Sequence, residues 1–101
     1  MTSYRDLLLD EARDMINGPR DTEYGDATSN FTDIAKMWEP IFGTEVNAEQ
    51  VALALVALKL LRLAKKTDHR DSWIDLAGYA ALGYEAQITR KMREEYRDVY
   101  V

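Results

Sequence analysis

The longest apolar run in this 101-residue chain is Val51-Ala-Leu-Ala-Leu-Val-Ala-Leu58. It follows Asn47-Ala-Glu-Gln50, which resembles a capping box at the start of a helix. Because apolar residues occupy every side of this helix, it has to lie centrally or be covered by a partner subunit. The run is far shorter than the roughly 20 residues that span a bilayer. The sequence therefore predicts a central core helix, an oligomer and no membrane partner.

Helical periodicity extends to both sides of this run. The first helix is predicted over residues 3–17, capped by Ser3 and ended by Asn17-Gly18-Pro19. The second is predicted over about residues 31–42, with Ser29 or Asn30 as its cap, and the fourth opens near Thr67. Apolar residues expected on the buried side of the second and fourth helices are Phe31, Ile34, Ala35, Trp38, Ile41, Phe42, Trp73, Leu76, Ala77, Ala80, Tyr84, Ile88 and Met92.

Two segments complete the predicted organisation. Residues 18–30 are rich in turn formers and predict a connection unusually long for a compact bundle. Residues 85–98 predict a charged helix that is either a projecting continuation of the fourth helix or a fifth helix. Gly78, Ala81 and Gly83 would let another helix approach the fourth one closely. The fold class expected for residues 1–101 is all-α, a single compact domain of four to five bundled helices.

Composition excludes several classes of function. The chain has no cysteine, so disulfides, thiolate metal sites and cysteine nucleophiles are excluded, and a reducing environment is expected. A net charge of −5 gives no general attraction to nucleic acid, so bulk nucleic-acid binding is not expected. No motif surrounds Ser72 that would make it a nucleophile, and the sole histidine, His69, has no second histidine to join it. No catalytic residue is assigned.

Asp71 and Asp75 lie one turn apart on the predicted fourth helix, and oxygen ligands at that spacing suit a divalent cation. The alternative is structural: Asp71 favours the helix dipole, and Asp75, in an apolar neighbourhood, is buried with a cationic partner. Lys59 or Arg62 would supply that partner.

Lys59 and Arg62 are the only charges inside the apolar third helix. If this pair faces a cavity, it suits the binding of a phosphate or a carboxylate. Equally, the two side chains could extend along the helix surface and place their charges in solvent. In the 18–30 segment, Arg20, Tyr24 and Asp26 combine a cation, an aromatic face and a flexible backbone that together would clamp a nucleotide. Turn chemistry alone also accounts for Gly25-Asp26.

A set of spaced blocks resembles a family of small, largely uncharacterised bacteriophage and prophage proteins. The blocks are Arg20-Asp-Thr-Glu-Tyr-Gly-Asp26, Asn30-Phe31, Ile34-Ala35, Trp38, Val51, Lys59, Arg62 and Asp71-Ser-Trp-Ile-Asp-Leu-Ala-Gly-Tyr79. This resemblance covers the chain from the first helix to about Leu82. It implies the cytoplasm of a bacterial host, and it adds Asn30 and Tyr79 to the expected ligand-binding residues.

More distantly, the arrangement is similar to the all-α nucleoside triphosphate pyrophosphohydrolases of the MazG type. That resemblance implies a nucleotide site near Lys59, Arg62, Asp71 and Asp75, with Mg²⁺ on the carboxylates and subunits paired to complete the bundle. The chain departs from the pattern of these enzymes, because the third helix offers only Glu49 where a Glu-Glu-x-x-Glu motif is expected.

Three functions follow as hypotheses. The first is a phage helical oligomer that binds a nucleotide, a cyclic nucleotide or a nucleotide-derived signal in a basic pocket. Such a protein would serve as an anti-defence factor by sequestering a host messenger without hydrolysing it. The second is a Mg²⁺-dependent pyrophosphohydrolase with Asp71 and Asp75 as metal ligands. The third is a helical module that binds another protein through its charged fourth helix.

Overall fold

Helices are the regular secondary structure of this chain in the computed structural model, which describes residues 2–18 and 26–100. Four helices follow one another in these ranges: α1 (Tyr4–Asn17), α2 (Ala27–Phe42), α3 (Ala48–Lys65) and α4 (Arg70–Tyr100). No strand occurs among the described residues. The all-α prediction is confirmed, with four helices in this part of the chain.

The caps of α1 and α3 lie where their sequences predict them. Ser3 Oγ accepts a hydrogen bond of 3.2 Å from the backbone N–H of Asp6. At α3, the Asn47 side chain accepts from the Gln50 N–H and the Gln50 side chain accepts from the Asn47 N–H, both at 2.9 Å. This reciprocal pair satisfies two backbone donors that have no partner within the helix. The predicted start and end of α1 and the predicted capping box are confirmed.

The start of α2 differs from the prediction. The helix begins at Ala27, not Phe31, and its cap is Asp26, not Ser29 or Asn30. Asp26 accepts from the Thr28 N–H and from the Ser29 hydroxyl, both at 3.3 Å. An aspartate in this position satisfies a free amide of the first turn, so the helix starts one turn earlier. Residues 19–25 of the predicted 18–30 connection lie outside the described residues.

α4 is a single helix of 31 residues. It runs without interruption through Gly78, Gly83 and the predicted charged segment 85–98. Of the two alternatives for that segment, the continuation of the fourth helix is therefore confirmed. At 1.5 Å per residue α4 extends about 46 Å, which accounts for most of the 52 Å long axis of the molecule.

Three helices meet in one apolar cluster. Phe31 and Ala35 of α2 pack against Val51 and Ala52 of α3 and against Leu82 of α4. All five side chains are buried. Trp38 lies at the edge of this cluster and is half-buried, whereas Phe31 is fully enclosed as predicted.

Several aromatic and aliphatic side chains are exposed although the sequence places them on buried faces. They are Ile41, Phe42, Trp73, Ala80, Tyr84 and Met92. The prediction for these residues is wrong, because α1 and α3 cover only part of the long α4 and the last turn of α2 extends past the core. Much of the apolar stripe on α4 therefore faces outward in a single chain.

Two glycines of α4 permit the close approach of neighbouring helices. A Cβ atom added to Gly78 would collide with the side chains of Met15 and Ile16 on α1. One added to Gly83 would lie 3.0 Å from Cβ of Ala52 on α3. The predicted role of these two glycines is confirmed, whereas Ala81 is exposed.

Within the described ranges, none of the helices combines the length and the apolar character that crossing a bilayer requires.

Candidate ligand-binding site

Lys59 and Asp75 form an ion pair that joins α3 to α4. Lys59 Nζ lies 2.8 Å from Asp75 Oδ2, and the two side chains are only 10% and 15% exposed. A lysine and an aspartate this enclosed are stable only when they are paired. The expectation that Lys59 or Arg62 would neutralise Asp75 is confirmed for Lys59. Anion binding by Lys59, or metal binding by Asp75, would compete with this pair.

Arg62 lies one turn beyond Lys59 and is exposed. It lines a cleft of about 290 Å³ together with Lys65, Lys66 and His69, where α3 ends and the chain turns into α4. We call these four residues the basic cleft. No carboxylate lines it, and no ion pair engages its side chains among the described residues. The cleft is therefore a local positive region on a chain with net charge −5.

His69 and Ser72 are in contact at the rim of the basic cleft. Nδ1 of His69 lies 2.6 Å from Oγ of Ser72, and the Ser72 N–H donates to the His69 carbonyl at 3.1 Å. A histidine beside a serine hydroxyl is the arrangement of an activated nucleophile. Ser72, however, is fully buried, so its hydroxyl cannot reach a substrate. The pair closes the first turn of α4.

Trp73 lies against the turn that carries the basic cleft. Its indole N–H donates a 2.8 Å hydrogen bond to the carbonyl of Thr67, and 44% of the residue is exposed. The hydrogen bond fixes one edge of the ring while part of the ring remains open to solvent. Sequence reasoning placed Trp73 in the core and missed this position, because helical periodicity does not show how far the neighbouring helices reach.

Asp71 is exposed in the first turn of α4, one turn before the paired Asp75. Among residues 2–18 and 26–100, no three His, Asp or Glu side chains come together as a metal-binding group. Within these ranges, a Mg²⁺ ion bound by Asp71 and Asp75 would thus have two carboxylate ligands. One of them, Asp75, is already paired with Lys59.

The other predicted ligand-binding residues fall partly inside and partly outside the described ranges. Arg20 and Tyr24 lie outside the described residues. Asp26 caps α2, and the backbone N–H of Asn30 donates to the Asp26 carbonyl at 3.0 Å. Tyr79 is half-buried and packs against the apolar cluster. No hydrogen bond or ion pair joins Asp26 or Asn30 to Lys59 or Arg62 in the part of the chain that the structure describes.

A second charged group, centred on Arg90 of α4, was missed by sequence reasoning. Arg90 Nε and Nη2 each lie 2.7 Å from Glu49 Oε1, and Arg90 Nη1 lies 2.8 Å from Glu94 Oε1. The hydrogen bonds that Arg90 donates to Glu49 and, second, to Glu94 raise the pKa of Arg90 above its ordinary value. The other oxygen of Glu49, Oε2, is enclosed and has no hydrogen-bond partner among the described residues. Only the spacing of Arg90 and Glu94 was visible in the sequence, since Glu49 is 41 residues away.

A second cleft, of about 230 Å³, lies between α2 and α4. Its lining includes the cations Lys36 and Arg93, the hydroxyls of Thr28 and Thr32, and the carboxylate of Glu39. Thr32 Oγ1 already donates to the Thr28 carbonyl at 2.8 Å. The second cleft thus mixes both signs of charge, in contrast to the basic cleft. No sequence motif marked it, because its residues come from distant segments.

Comparison with known proteins places the chain among phage proteins. Two curated relatives, both called Gene 55 protein, come from Mycobacterium phage L5 and Mycobacterium phage D29. The chain is 36% identical to the L5 protein over 87 residues and 37% identical to the D29 protein over 73 residues. These alignments cover 85% and 72% of this chain but 56% and 48% of the relatives, so the chain spans about half of their length. No solved structure matches it.

The family described as "Domain of unknown function (DUF6378)" matches residues 7–87. The resemblance to a family of phage proteins is thereby confirmed, while the more distant similarity to MazG-type enzymes stays a prediction. The chain belongs to the DUF6378 family, to which its sequence matches over most of its length.

Proposed function

We propose that this phage-family protein binds a nucleotide or a nucleotide-derived signal and holds its phosphate groups at the basic cleft. The observation that carries the proposal is the lining of that cleft by Arg62, Lys65, Lys66 and His69 with no carboxylate among them. A guanidinium and two ammonium groups bind phosphate oxygens through charge-assisted hydrogen bonds. Their grouping produces local attraction on a chain whose net charge would otherwise repel phosphate.

The partly exposed indole of Trp73 supports a nucleotide rather than phosphate alone. Trp73 lies in the first turns of α4, and its N–H is held by the carbonyl of Thr67, the residue that follows Lys66. A base stacked on an aromatic side chain contributes roughly 1–3 kcal/mol. Because the ring is already fixed, little conformational entropy is lost when a base stacks on it. The cationic cleft would thus bind the phosphate groups of a nucleotide, and the ring of Trp73 would stack on its base.

Three features favour capture over turnover. Ser72 is buried, Asp75 is paired with Lys59, and the described residues bring no third carboxylate to Asp71 and Asp75. A protein with this arrangement would retain its ligand intact. In a phage, sequestering a host defence messenger is a use that fits such retention. The alternative, a Mg²⁺-dependent pyrophosphohydrolase of the MazG type, would place Mg²⁺ on Asp71 and Asp75 and phosphate on Arg62.

Arg20, Tyr24, Asp26, Asn30, Lys59 and Tyr79 remain predicted contributors to the same ligand site. Lys59 lies one turn before Arg62, so a small rotation of its side chain away from Asp75 would extend the basic cleft inward. The cost of breaking the buried pair makes Lys59 a weaker candidate than Arg62.

Two double variants, each of which loses one arginine and one lysine, test the location of the site. Arg62→Ala with Lys65→Ala removes one arginine and one lysine from the basic cleft. Arg93→Ala with Lys36→Ala removes the same two residue types from the second cleft. Binding is measured by isothermal titration with a panel of nucleoside mono- and triphosphates, cyclic mononucleotides and cyclic dinucleotides.

We expect the first double variant to weaken binding by at least about tenfold, since loss of two charge-assisted contacts exceeds 1.4 kcal/mol. The second should change it by less than about twofold, because exposed charges at a distance are screened by salt. Equal losses, or a loss confined to the second variant, would show that the basic cleft is not the phosphate site.

A further inference from the structure

α3 presents an apolar face on the side opposite its buried residues. The outer face of α3 consists of Leu53, Ala54, Ala57, Leu60, Leu61 and Ala64, all of which are exposed. The three leucines are 65%, 53% and 55% exposed. An ordinary surface helix carries charged or polar residues on this side. Here the charged residues Lys59 and Arg62 lie outside the outer face, so nothing polar interrupts it.

The apolar surface continues from α3 onto α4. A groove of about 330 Å³ separates the two helices beside the outer face, and its lining is almost entirely apolar. Leu53 and Val56 form one wall of the groove, and Ala80 and Tyr84 form the other. Tyr84 is 69% exposed. A contiguous apolar surface of this kind marks an interaction site on a folded protein.

We propose that the outer face of α3 binds a second copy of this chain, with the two α3 helices antiparallel about a two-fold axis. The charges at the ends of the helix identify the partner. The exposed Glu45 lies just before the N-terminal end of α3, where Glu49 is already paired with Arg90, and the exposed Lys65 and Lys66 lie at its C-terminal end. An antiparallel pair brings the acidic end of each copy to the basic end of the other. It also places the two helix dipoles antiparallel, which is favourable. A parallel pair would bring like charges together.

The sizes of the side chains are also self-complementary in this arrangement. An axis passing near Leu58 places Leu53 of one copy opposite Ala64 of the other, and Ala57 of one copy opposite Leu60 of the other. Leu53 and Leu60 each then meet an alanine, which lets the two helices approach closely and interdigitate. The paired helices, flanked by the two α4 helices, form a four-helix arrangement that buries the face which one chain leaves exposed. Lys65 and Lys66 also line the basic cleft, so the tests of this interface change only residues outside that cleft.

The first test is the mass of the protein in solution, measured by sedimentation equilibrium. We expect twice the 11.6 kDa of a single chain. Leu60→Glu places two carboxylates in the apolar contact and should yield the monomer. Met37→Glu is the matched control, since Met37 is 68% exposed on α2 and lies away from the outer face, and it should leave the dimer unchanged. A wild-type monomer, or a Leu60→Glu variant that stays dimeric, would overturn the proposal.

Cysteine pairing tests the antiparallel register and does not rely on a destabilising change. The chain has no cysteine, so an introduced thiol is the sole one. A mixture of Leu53→Cys and Ala64→Cys proteins should form a disulfide-linked heterodimer under mild oxidation. Leu53→Cys alone should not, because the two identical sites lie roughly 16 Å apart along the helices, beyond the roughly 7 Å limit between the Cα atoms of a disulfide. Crosslinking of Leu53→Cys alone, or no crosslinking in the mixture, would contradict the antiparallel pair.

Discussion

Lys59 of α3 and Asp75 of α4 are held 2.8 Å apart in a nearly enclosed ion pair, one helical turn from the exposed Arg62. Two basic residues one turn apart on α3 therefore have different surroundings. Lys59 connects α3 to α4 inside the fold, whereas Arg62 and the residues after it face solvent. The two cations that interrupt the apolar sequence of α3 therefore have different roles, one in stability and one in the proposed binding of phosphate.

Removing one partner of the buried pair should destabilise the fold strongly. Lys59→Ala leaves the Asp75 carboxylate enclosed without a partner, which we expect to lower the free energy of unfolding by roughly 3 kcal/mol. Replacing both residues, as Lys59→Met with Asp75→Leu, should recover much of this loss because no uncompensated charge remains. Urea unfolding at pH 7 measures both variants.

The control for this prediction is the exposed ion pair of Arg13 and Asp10 on α1, in which Arg13 Nη1 lies 3.6 Å from Asp10 Oδ1. Arg13→Ala should change the free energy of unfolding by less than about 0.5 kcal/mol, because solvent screens an exposed pair. Equal effects of Arg13→Ala and Lys59→Ala would mean that the Lys59–Asp75 pair is not buried as described.

The two phenylalanines of the chain provide a matched test of the core. Phe31 is 1% exposed within the apolar cluster, and Phe42 is 66% exposed at the end of α2. Phe31→Ala should cost about 3–5 kcal/mol because it opens a cavity among three helices. Phe42→Ala loses an edge-to-face contact with Trp38, whose ring centroid is 6.2 Å away, and should cost about 1 kcal/mol. Thermal unfolding followed by circular dichroism distinguishes the two.

Gly83 should tolerate no branched side chain. A Cβ atom added there would lie only 3.0 Å from Cβ of Ala52, so Gly83→Val would force α3 away from α4. We expect a loss of about 2 kcal/mol or more from overpacking. Ala81→Val, two residues earlier on an exposed position of the same helix, is the control and should have a small effect. A stable Gly83→Val variant would contradict the close packing of α3 on α4.

Helix starts were predictable where the sequence offers only one capping residue at the right position. Ser3, Asn47 and Gln50 precede apolar periodic segments at the spacing of a cap, and the structure places them there. The start of α2 was not predictable in the same way. Asp26, Ser29 and Asn30 are all good capping residues, and the sequence alone does not show which of them first satisfies a backbone amide.

The candidate site was only partly predictable. A cationic partner for Asp75 followed from the cost of burying an isolated charge, but the sequence left Lys59 and Arg62 as alternatives for that partner. The Glu49–Arg90 pair did not follow from the sequence, because its partners are 41 residues apart and meet only after α3 and α4 pack. The exposure of Trp73 likewise depends on where α3 ends, which helical periodicity does not encode.

Ligand binding at the basic cleft should depend strongly on salt. Phosphate contacts made by exposed arginine and lysine side chains weaken as the Debye length falls from about 10 Å at 0.1 M to about 3 Å at 1 M salt. We expect the dissociation constant of the tightest nucleotide to rise at least about tenfold over this range. Titration calorimetry in increasing NaCl measures the change, and an affinity independent of salt would argue against phosphate recognition by Arg62, Lys65 and Lys66.

The most direct test of nucleotide capture is to incubate the purified protein with a panel of nucleotides and cyclic nucleotides, with and without Mg²⁺. Bound and released species are then separated by chromatography after the protein is denatured. We expect one ligand to be retained by the wild-type protein, to be recovered chemically intact with or without Mg²⁺, and to be lost from the double variant Arg62→Ala with Lys65→Ala. Recovery of a monophosphate and pyrophosphate only when Mg²⁺ is present would contradict capture and establish the hydrolase. Absence of both retention and turnover would contradict nucleotide binding itself.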